Sequence, residues 1–248
     1  MPGREVAIRR SARARRIRVT VTHEGRVVLV APVRASDDAI ARALDEARPW
    51  IARTTARLAR VPALGLDRPG VAWRAGAPLR VIRDVGAPRA AAEGGVLVLR
   101  APDDASALRA LDRWYRASCR ALIRDCLPEA AELLGVEPGR VTVRAAKTRW
   151  GSCSANGDLN FNWRLALAPE PVLRHVVVHE LAHLVHRDHS HRFWAVVERA
   201  DPATPAKRAF LRRHGAEILS YDPSHALEPA GHCAFDRSTD AGACAEPA

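Results

Sequence analysis

Two histidines four residues apart, with a glutamate directly after the first, constrain this chain of 248 residues more than any other feature. They form the segment H-E-L-A-H at residues 179–183, inside a stretch whose apolar spacing predicts a helix from about residue 169 to about residue 186. At about 100° per residue, His179 and His183 project from one helix face, so both imidazoles can bind the same metal ion. Glu180 points to the side of that pair, where a carboxylate can take a proton from a metal-bound water.

A catalytic zinc usually has three protein ligands, so the chain should supply one more. On an uninterrupted helix His189 would face away from the first two histidines, but residues 187–188 can turn the chain and Ser190 is a good N-cap for a new helix. We therefore expect His189 to be the third ligand. Two alternatives stay open: His186, one turn beyond the second histidine, and Glu198, which would complete a site of two histidines and one glutamate.

The remaining patterns predict mostly strands in the first hundred residues and mostly helices after them. Alternating β-branched residues and turn signals predict extended segments at residues 6–10, 17–22, 26–30, 71–74, 79–82, 96–99, 141–143 and 159–165. Apolar residues at helical spacing predict a helix of about five turns from Ser36 and further helices at residues 103–134, 190–199 and 204–214. We predict an α+β fold with a β-rich N-terminal region carrying one helix (1–101), a metal-site domain (102–221) and a flexible C-terminal tail (222–248).

The charge, the apolar runs and the cysteines of the chain indicate which partners it can bind and in which cellular compartment it is expected. The net charge of +11 can attract nucleic acid, nucleotides or acidic proteins. The apolar runs are far shorter than the ~20 residues that span a bilayer, so no membrane partner is expected. The first residues show no secretory signal, and five cysteines at irregular spacing fit a disulfide framework poorly. These features predict a cytoplasmic protein with reduced thiols.

Four sequence blocks together resemble a known family. They read K-T-R-W-G-S-C-S at 147–154, L-N-F-N-W-R-L at 159–165, H-E-L-A-H-L at 179–184 and H-S-x-x-F-W at 189–194. In these blocks the chain resembles the YgjP-like metallopeptidase-type domain family, relatives of the SprT-like proteases. The resemblance implies a zincin-like fold for the metal-site domain, with zinc bound by His179, His183 and His189 and with Glu180 as the general base.

Candidate substrate contacts lie in or beside these blocks. Arg149 and Arg164 could bind carboxylates or phosphates, and Trp150 could line a groove, although tryptophans at such positions more often belong to the core. Residues 149–154 could also form an edge that pairs with a substrate backbone. His175, four residues before the first ligand, is expected to be a partly exposed helix histidine rather than a substrate contact.

The function predicted from these residues is zinc-dependent hydrolysis of peptide bonds, with a polypeptide as the substrate. Two alternatives stay open. The same metal site could cleave a nucleotide phosphoanhydride, with Arg149, Lys147 or Arg164 on the phosphates. The chain could also be a non-catalytic zinc module that binds nucleic acid through its basic N-terminal sheet.

Overall fold

Strands outnumber helices before residue 101, and helices cover most of the described chain after it, as the sequence patterns predict. The computed structural model describes residues 6–21, 26–59 and 63–229. Within them the strands are β1 (Val6–Ser11), β2 (Arg18–Val21), β3 (Val27–Pro32), β4 (Val71–Arg74), β5 (Ala77–Asp84), β6 (Arg89–Glu93), β7 (Val96–Arg100), β8 (Val141–Arg144), β9 (Gly151–Cys153) and β10 (Leu159–Asn162). The helices are α1 (Asp37–Ala59), α2 (Asp104–Leu134), α3 (Glu170–Ala182), α4 (His191–Ala200) and α5 (Thr204–Ser220), with 3₁₀ helices at Trp163–Leu167 and Pro223–Leu227.

The α+β class is confirmed, and two local predictions are wrong. The pattern does not predict β6, because its run of alanines has a low β propensity; the strand forms by antiparallel pairing with β7, with Ala91 opposite Val98. Residues 159–165 are extended only as far as Asn162. There the Asn162 side-chain oxygen accepts a hydrogen bond from the backbone N–H of Arg164 and caps a 3₁₀ helix.

The strands form three sheets. In the first, β1 is parallel and β2 antiparallel to the central β3. The second has the order β4-β5-β7-β6. In the third, β10 lies between a parallel β8 and an antiparallel β9, so β9 is an edge strand.

Buried apolar residues form two clusters in the described part of the chain. The smaller one, Leu29, Ala31 and Ile40, lies between the first sheet and α1. The larger one runs from Leu66 to Ala226 and takes in the second and third sheets and α2 to α5. The domain boundary at residue 101 stays a prediction, and apolar residues on both sides of that boundary share the larger core.

Helices α2 and α3 pack together in the larger core. The Asp103 carboxylate accepts a hydrogen bond of 2.7 Å from the backbone N–H of Ser106 and caps the start of α2, and Gly135 ends α2 with a φ of 64°. Val177 and Leu181 of α3 are fully buried. Because α3 is enclosed in this way, its few polar side chains are held in defined positions.

The C-terminal region begins in an ordered form. Residues 223–227 form a short 3₁₀ helix in which Ala226 is 1% exposed, so the flexible tail predicted from residue 222 is wrong for this stretch. The rest of the predicted tail, residues 230–248, lies outside the described residues. No helix in the described part of the chain is long and apolar enough to cross a membrane.

Candidate metal centre

Three imidazoles converge at the C-terminal end of α3. Ligand nitrogens of His179, His183 and His189 all lie within 4.8 Å of one another, and the Nε2 atoms of His179 and His189 are 3.1 Å apart. Two nitrogens that bind one tetrahedral ion at about 2.0–2.1 Å are roughly 3.3–3.4 Å apart. The donor set therefore fits a single divalent ion, and three ligands leave one tetrahedral position open.

A turn after α3 brings His189 to the first two histidines. The helix predicted to reach His186 ends at Ala182. The chain then bends at residues 187–188, and α4 starts after Ser190. The backbone N–H of Ser190 donates to the Asp188 carboxylate over 3.3 Å within this bend. His189 thereby approaches His179 from a separate segment of chain.

The alternative third ligands lie elsewhere. His186 faces the site with its backbone, since Nδ1 of His183 lies 3.2 Å from the His186 carbonyl oxygen. A carbonyl only accepts, so Nδ1 of His183 carries the proton and its Nε2 is free to bind a metal. Neither the His186 ring nor Glu198, an exposed residue of α4, belongs to the histidine cluster in the described residues.

Phe193 of α4 supports all three imidazoles. Its ring centroid lies 4.9 Å from that of His179, 4.6 Å from that of His183 and 4.8 Å from that of His189. The side chain is fully buried. Burial, together with the charges of the other two histidines, lowers the pKa of His179 to about 3. A neutral imidazole is the form that binds a metal.

Glu180 lies against the edge strand β9. A Cβ atom on Gly151 would be 2.6 Å from both Cγ and Oε1 of Glu180, so only glycine allows this approach. Glu180 is 5% exposed, and among the described residues its carboxylate forms no hydrogen bond or ion pair. Burial raises the pKa of Glu180 to about 7, against the opposing positive charge of Arg149. The carboxylate is thus buried beside the histidines with its oxygens uncommitted.

Two cavities meet at Glu180 and His179. The first, which we call the basic cavity, has a volume of about 370 Å³ and includes Arg149, Trp150 and residues of α5 in its lining. The second has a volume of about 330 Å³ and is lined by β9, the three histidines and Arg187. Arg149 and Trp150 therefore line a cavity beside Glu180, and their contact with a substrate stays a prediction.

Arg164, which was expected to contact the substrate, is bound to other parts of the chain instead. Its guanidinium donates to the backbone carbonyl of Tyr221 over 3.2 and 2.9 Å and lies 4.5 Å from the ring centroid of Trp163. It lines neither cavity, because these contacts hold it between the 3₁₀ helix and the chain after α5. Trp163 itself belongs to the core.

The structure also corrects the expectation for His175. The residue is buried, not partly exposed, and its Nδ1 lies 2.9 Å from Oδ2 of Asp201. It lines the basic cavity. Periodicity did not reveal this, because its partner Asp201 follows α4 and is brought to α3 only by packing.

Most of the chain matches the model of one protein family. The model described as YgjP-like, metallopeptidase domain, matches residues 15–214, which include all three histidines and Glu180. The chain belongs to the YgjP-like metallopeptidase family. The resemblance seen in the sequence is therefore confirmed, and this YgjP-like chain is a metallopeptidase-type hydrolase whose family implies a metal ion.

This YgjP-like chain was also compared with solved structures and with curated proteins. The crystal structure of the metallopeptidase zymogen of Pyrococcus abyssi abylysin is similar at 25% identity, over 37% of this chain and 97% of that chain, with a TM-score of 0.32. A comparison with curated proteins gives no match.

Proposed function

We propose that this metallopeptidase is a zinc enzyme in which His179, His183 and His189 bind the ion and Glu180 is the general base. The observation that carries the proposal is the convergence of three ring nitrogens within 4.8 Å beside a buried carboxylate. Three imidazoles with one open position are typical of catalytic zinc. A zinc ion bound there would acidify a water molecule and polarise the scissile carbonyl.

The protein's own part in the reaction is proton transfer by Glu180. Its carboxylate has no competing hydrogen-bond partner in the described residues and lines both cavities, so it can reach a water that enters from either side. Glu180 takes the proton of the attacking water and returns it to the leaving amine. Gly151 lets the carboxylate lie against the strand, because it has no side chain at this point.

The edge strand β9 is the proposed binding edge for the peptide backbone. It pairs with β10 on one side, its other edge is unpaired within the described residues, and Glu180 packs on the face to which a Gly151 Cβ atom would point. An extended peptide can add to such an edge through main-chain hydrogen bonds. This would place a scissile carbonyl next to the histidine cluster, and a polypeptide is therefore the proposed substrate.

The test loads metal-free protein with zinc and, in parallel, with manganese or nickel. Each form is incubated with an unfolded, fluorescently labelled protein and, separately, with nucleoside triphosphates. We expect peptide cleavage by the zinc form. Glu180→Gln should keep its zinc and lose activity by a factor on the order of 10²–10⁴, whereas the exposed control Glu198→Gln should match the wild type.

Three outcomes would overturn the proposal. Hydrolysis of nucleoside triphosphates alone would assign the site to phosphoanhydrides. Full peptide cleavage by Glu180→Gln would remove the general base. Absence of any turnover, with salt-dependent binding to DNA, would favour the non-catalytic module.

A further inference from the structure

The basic cavity is rich in positive charge, although a peptide backbone is neutral and offers no opposite charge. Three guanidinium groups line it, from Arg149 before β9 and from Arg208 and Arg212 on α5. The two arginines of α5 are four residues apart, so they share one helix face and repel each other. Such a pair is held together without an opposite charge only at a cost in free energy.

None of these three guanidinium groups forms an ion pair with a carboxylate of the described residues, although the charge of Arg149 acts on Glu180. Within the described residues, Arg149, Arg208 and Arg212 form no ion pair, whereas many other arginines do. The paired ones are Arg10, Arg48, Arg83, Arg100, Arg116, Arg124 and Arg174. The cavity is therefore a place where the fold leaves arginines available to a ligand.

The acidic side chain that contacts His175 of the cavity lining is already paired. Asp201 accepts from Lys207 over 2.6 Å and lies 2.9 Å from Nδ1 of His175, and the Asp201 side chain is 3% exposed. Glu180 is the one carboxylate that lines the cavity. An incoming anion thus meets three positive charges and a single acidic group that faces the reacting water.

An aromatic contact holds Arg208 in position. The Arg208 guanidinium carbon lies 3.8 Å from the ring centroid of Trp194, and that ring lies 5.6 Å from the ring of His179. Trp150 packs closely on α5, since a Cβ atom on Gly215 would be 3.1 Å from its ring. A guanidinium fixed in this way presents its fork of donors to a carboxylate with little further loss of freedom.

We infer that the basic cavity binds a carboxylate of the substrate beside the scissile bond, so that the enzyme prefers peptides that carry a carboxylate at that position. The inference rests on the proposed peptidase function for its substrate class. A volume of about 370 Å³ accommodates one Asp or Glu side chain, or the end of a peptide with its terminal carboxylate. Both sources present the same group to Arg208 and Arg212.

The experiment compares zinc-loaded wild-type protein on matched fluorogenic peptides. One pair differs by Glu or Gln at a single position, scanned along the peptide. A second pair differs by a free or an amidated C-terminus. We expect kcat/KM to be roughly tenfold higher for the charged member of one pair, and the pair that responds identifies the source of the carboxylate.

Charge variants of α5 assign that preference to the cavity. Arg212→Gln should reduce the preference about fivefold, and Arg212→Glu should reverse it in favour of the uncharged peptide. The matched control is Arg213→Gln, since Arg213 is the exposed next residue of α5 and does not line the cavity. The control should keep the wild-type preference.

A binding measurement separates this inference from the proposed function. Anisotropy of the labelled peptides with the Glu180→Gln protein should show the same preference without turnover. If the Glu180→Gln protein binds with this preference but the wild type cleaves neither member of a pair, the peptidase mechanism is refuted and the carboxylate site is supported. Cleavage with no preference in either pair, or a preference that Arg212→Glu leaves unchanged, would overturn the inference.

Discussion

Nδ1 of His175 and Oδ2 of Asp201 lie 2.9 Å apart, and both side chains are 3% exposed. The second carboxylate oxygen of Asp201 accepts from Lys207 over 2.6 Å. This network joins helix α3, which carries His179, to the start of α5. Because α5 carries Arg208 and Arg212, the network fixes the distance between the histidine cluster and the positive charges of the basic cavity.

Removal of the charge of Asp201 should destabilise the fold. Asp201→Asn leaves the Lys207 ammonium, 15% exposed, without its partner, so we expect the free energy of unfolding to fall by roughly 3 kcal/mol. Denaturant unfolding of the metal-free protein measures this. Asp45→Asn is the control, because it breaks the exposed Arg48 pair of α1 and should change stability by less than about 1 kcal/mol. Equal effects of the two substitutions would refute the role of the network.

The same network makes stability depend on pH. Burial lowers the pKa of His175 below 6.5, with Asp201 opposing the shift only in part. Burial raises the pKa of Asp201, but the hydrogen bonds and charges of Lys207 and His175 outweigh it and hold the pKa below its usual 3.8. Both groups bind protons more readily when unfolded, so their stabilisation is complete above the unfolded pKa and is lost as pH falls.

We therefore expect the free energy of unfolding of the metal-free protein to decrease from pH 7 towards pH 5. His175 contributes to the decrease in this interval. The variant His175→Gln should show a shallower decrease over that interval, and the difference between the two curves isolates this residue. Parallel curves for the two proteins would contradict the assignment.

The identity of the third metal ligand is testable by metal content. His189→Ala should lose most of its bound zinc after dialysis, because two imidazoles remain. His186→Ala keeps the backbone carbonyl that accepts from His183 and should retain one zinc per chain, as should Glu198→Ala. Zinc should also raise the thermal midpoint of the wild type and of these two controls, but not of His189→Ala. Zinc retention by His189→Ala would remove it from the ligand set.

Gly151→Ala should separate metal binding from catalysis. The added Cβ atom would lie 2.6 Å from Cγ and Oε1 of Glu180, so the carboxylate must move. We expect kcat to fall by a factor on the order of 10² with an unchanged zinc content. Gly86→Ala is the control, because its added Cβ atom would make only ordinary contacts of 3.8–3.9 Å with Arg100 and Gly86 lines neither cavity, so it should keep its activity. Wild-type turnover by Gly151→Ala would show that Glu180 does not need this position.

Phe193→Ala should weaken both the fold and the metal site. Its ring contacts all three imidazoles, so we expect a loss of roughly 3–5 kcal/mol in stability and a zinc affinity lower by about tenfold or more. Val197→Ala removes an equally buried side chain of α4 and should lower stability with little change in zinc affinity. A competition assay with a metal-binding dye, together with denaturant unfolding, distinguishes the two variants.

Local features of this protein follow directly from the sequence. The pairing of His179 with His183 is a consequence of helical spacing, and the turn that returns His189 follows from residues that end one helix and start the next. Short-range geometry decides such features, so a single segment of sequence contains all the information they need.

Other features depend on segments that meet only in the folded chain. Arg164 looked available for substrate, yet the carbonyl of Tyr221 binds its guanidinium. His175 is buried against Asp201, and Arg208 and Arg212 reach the metal site from α5 without any motif that marks them. The sequence by itself determined the donor groups and their local spacing. Only the tertiary structure decided which charges are paired and which face the cavity, because pairing depends on packing between residues far apart in the chain.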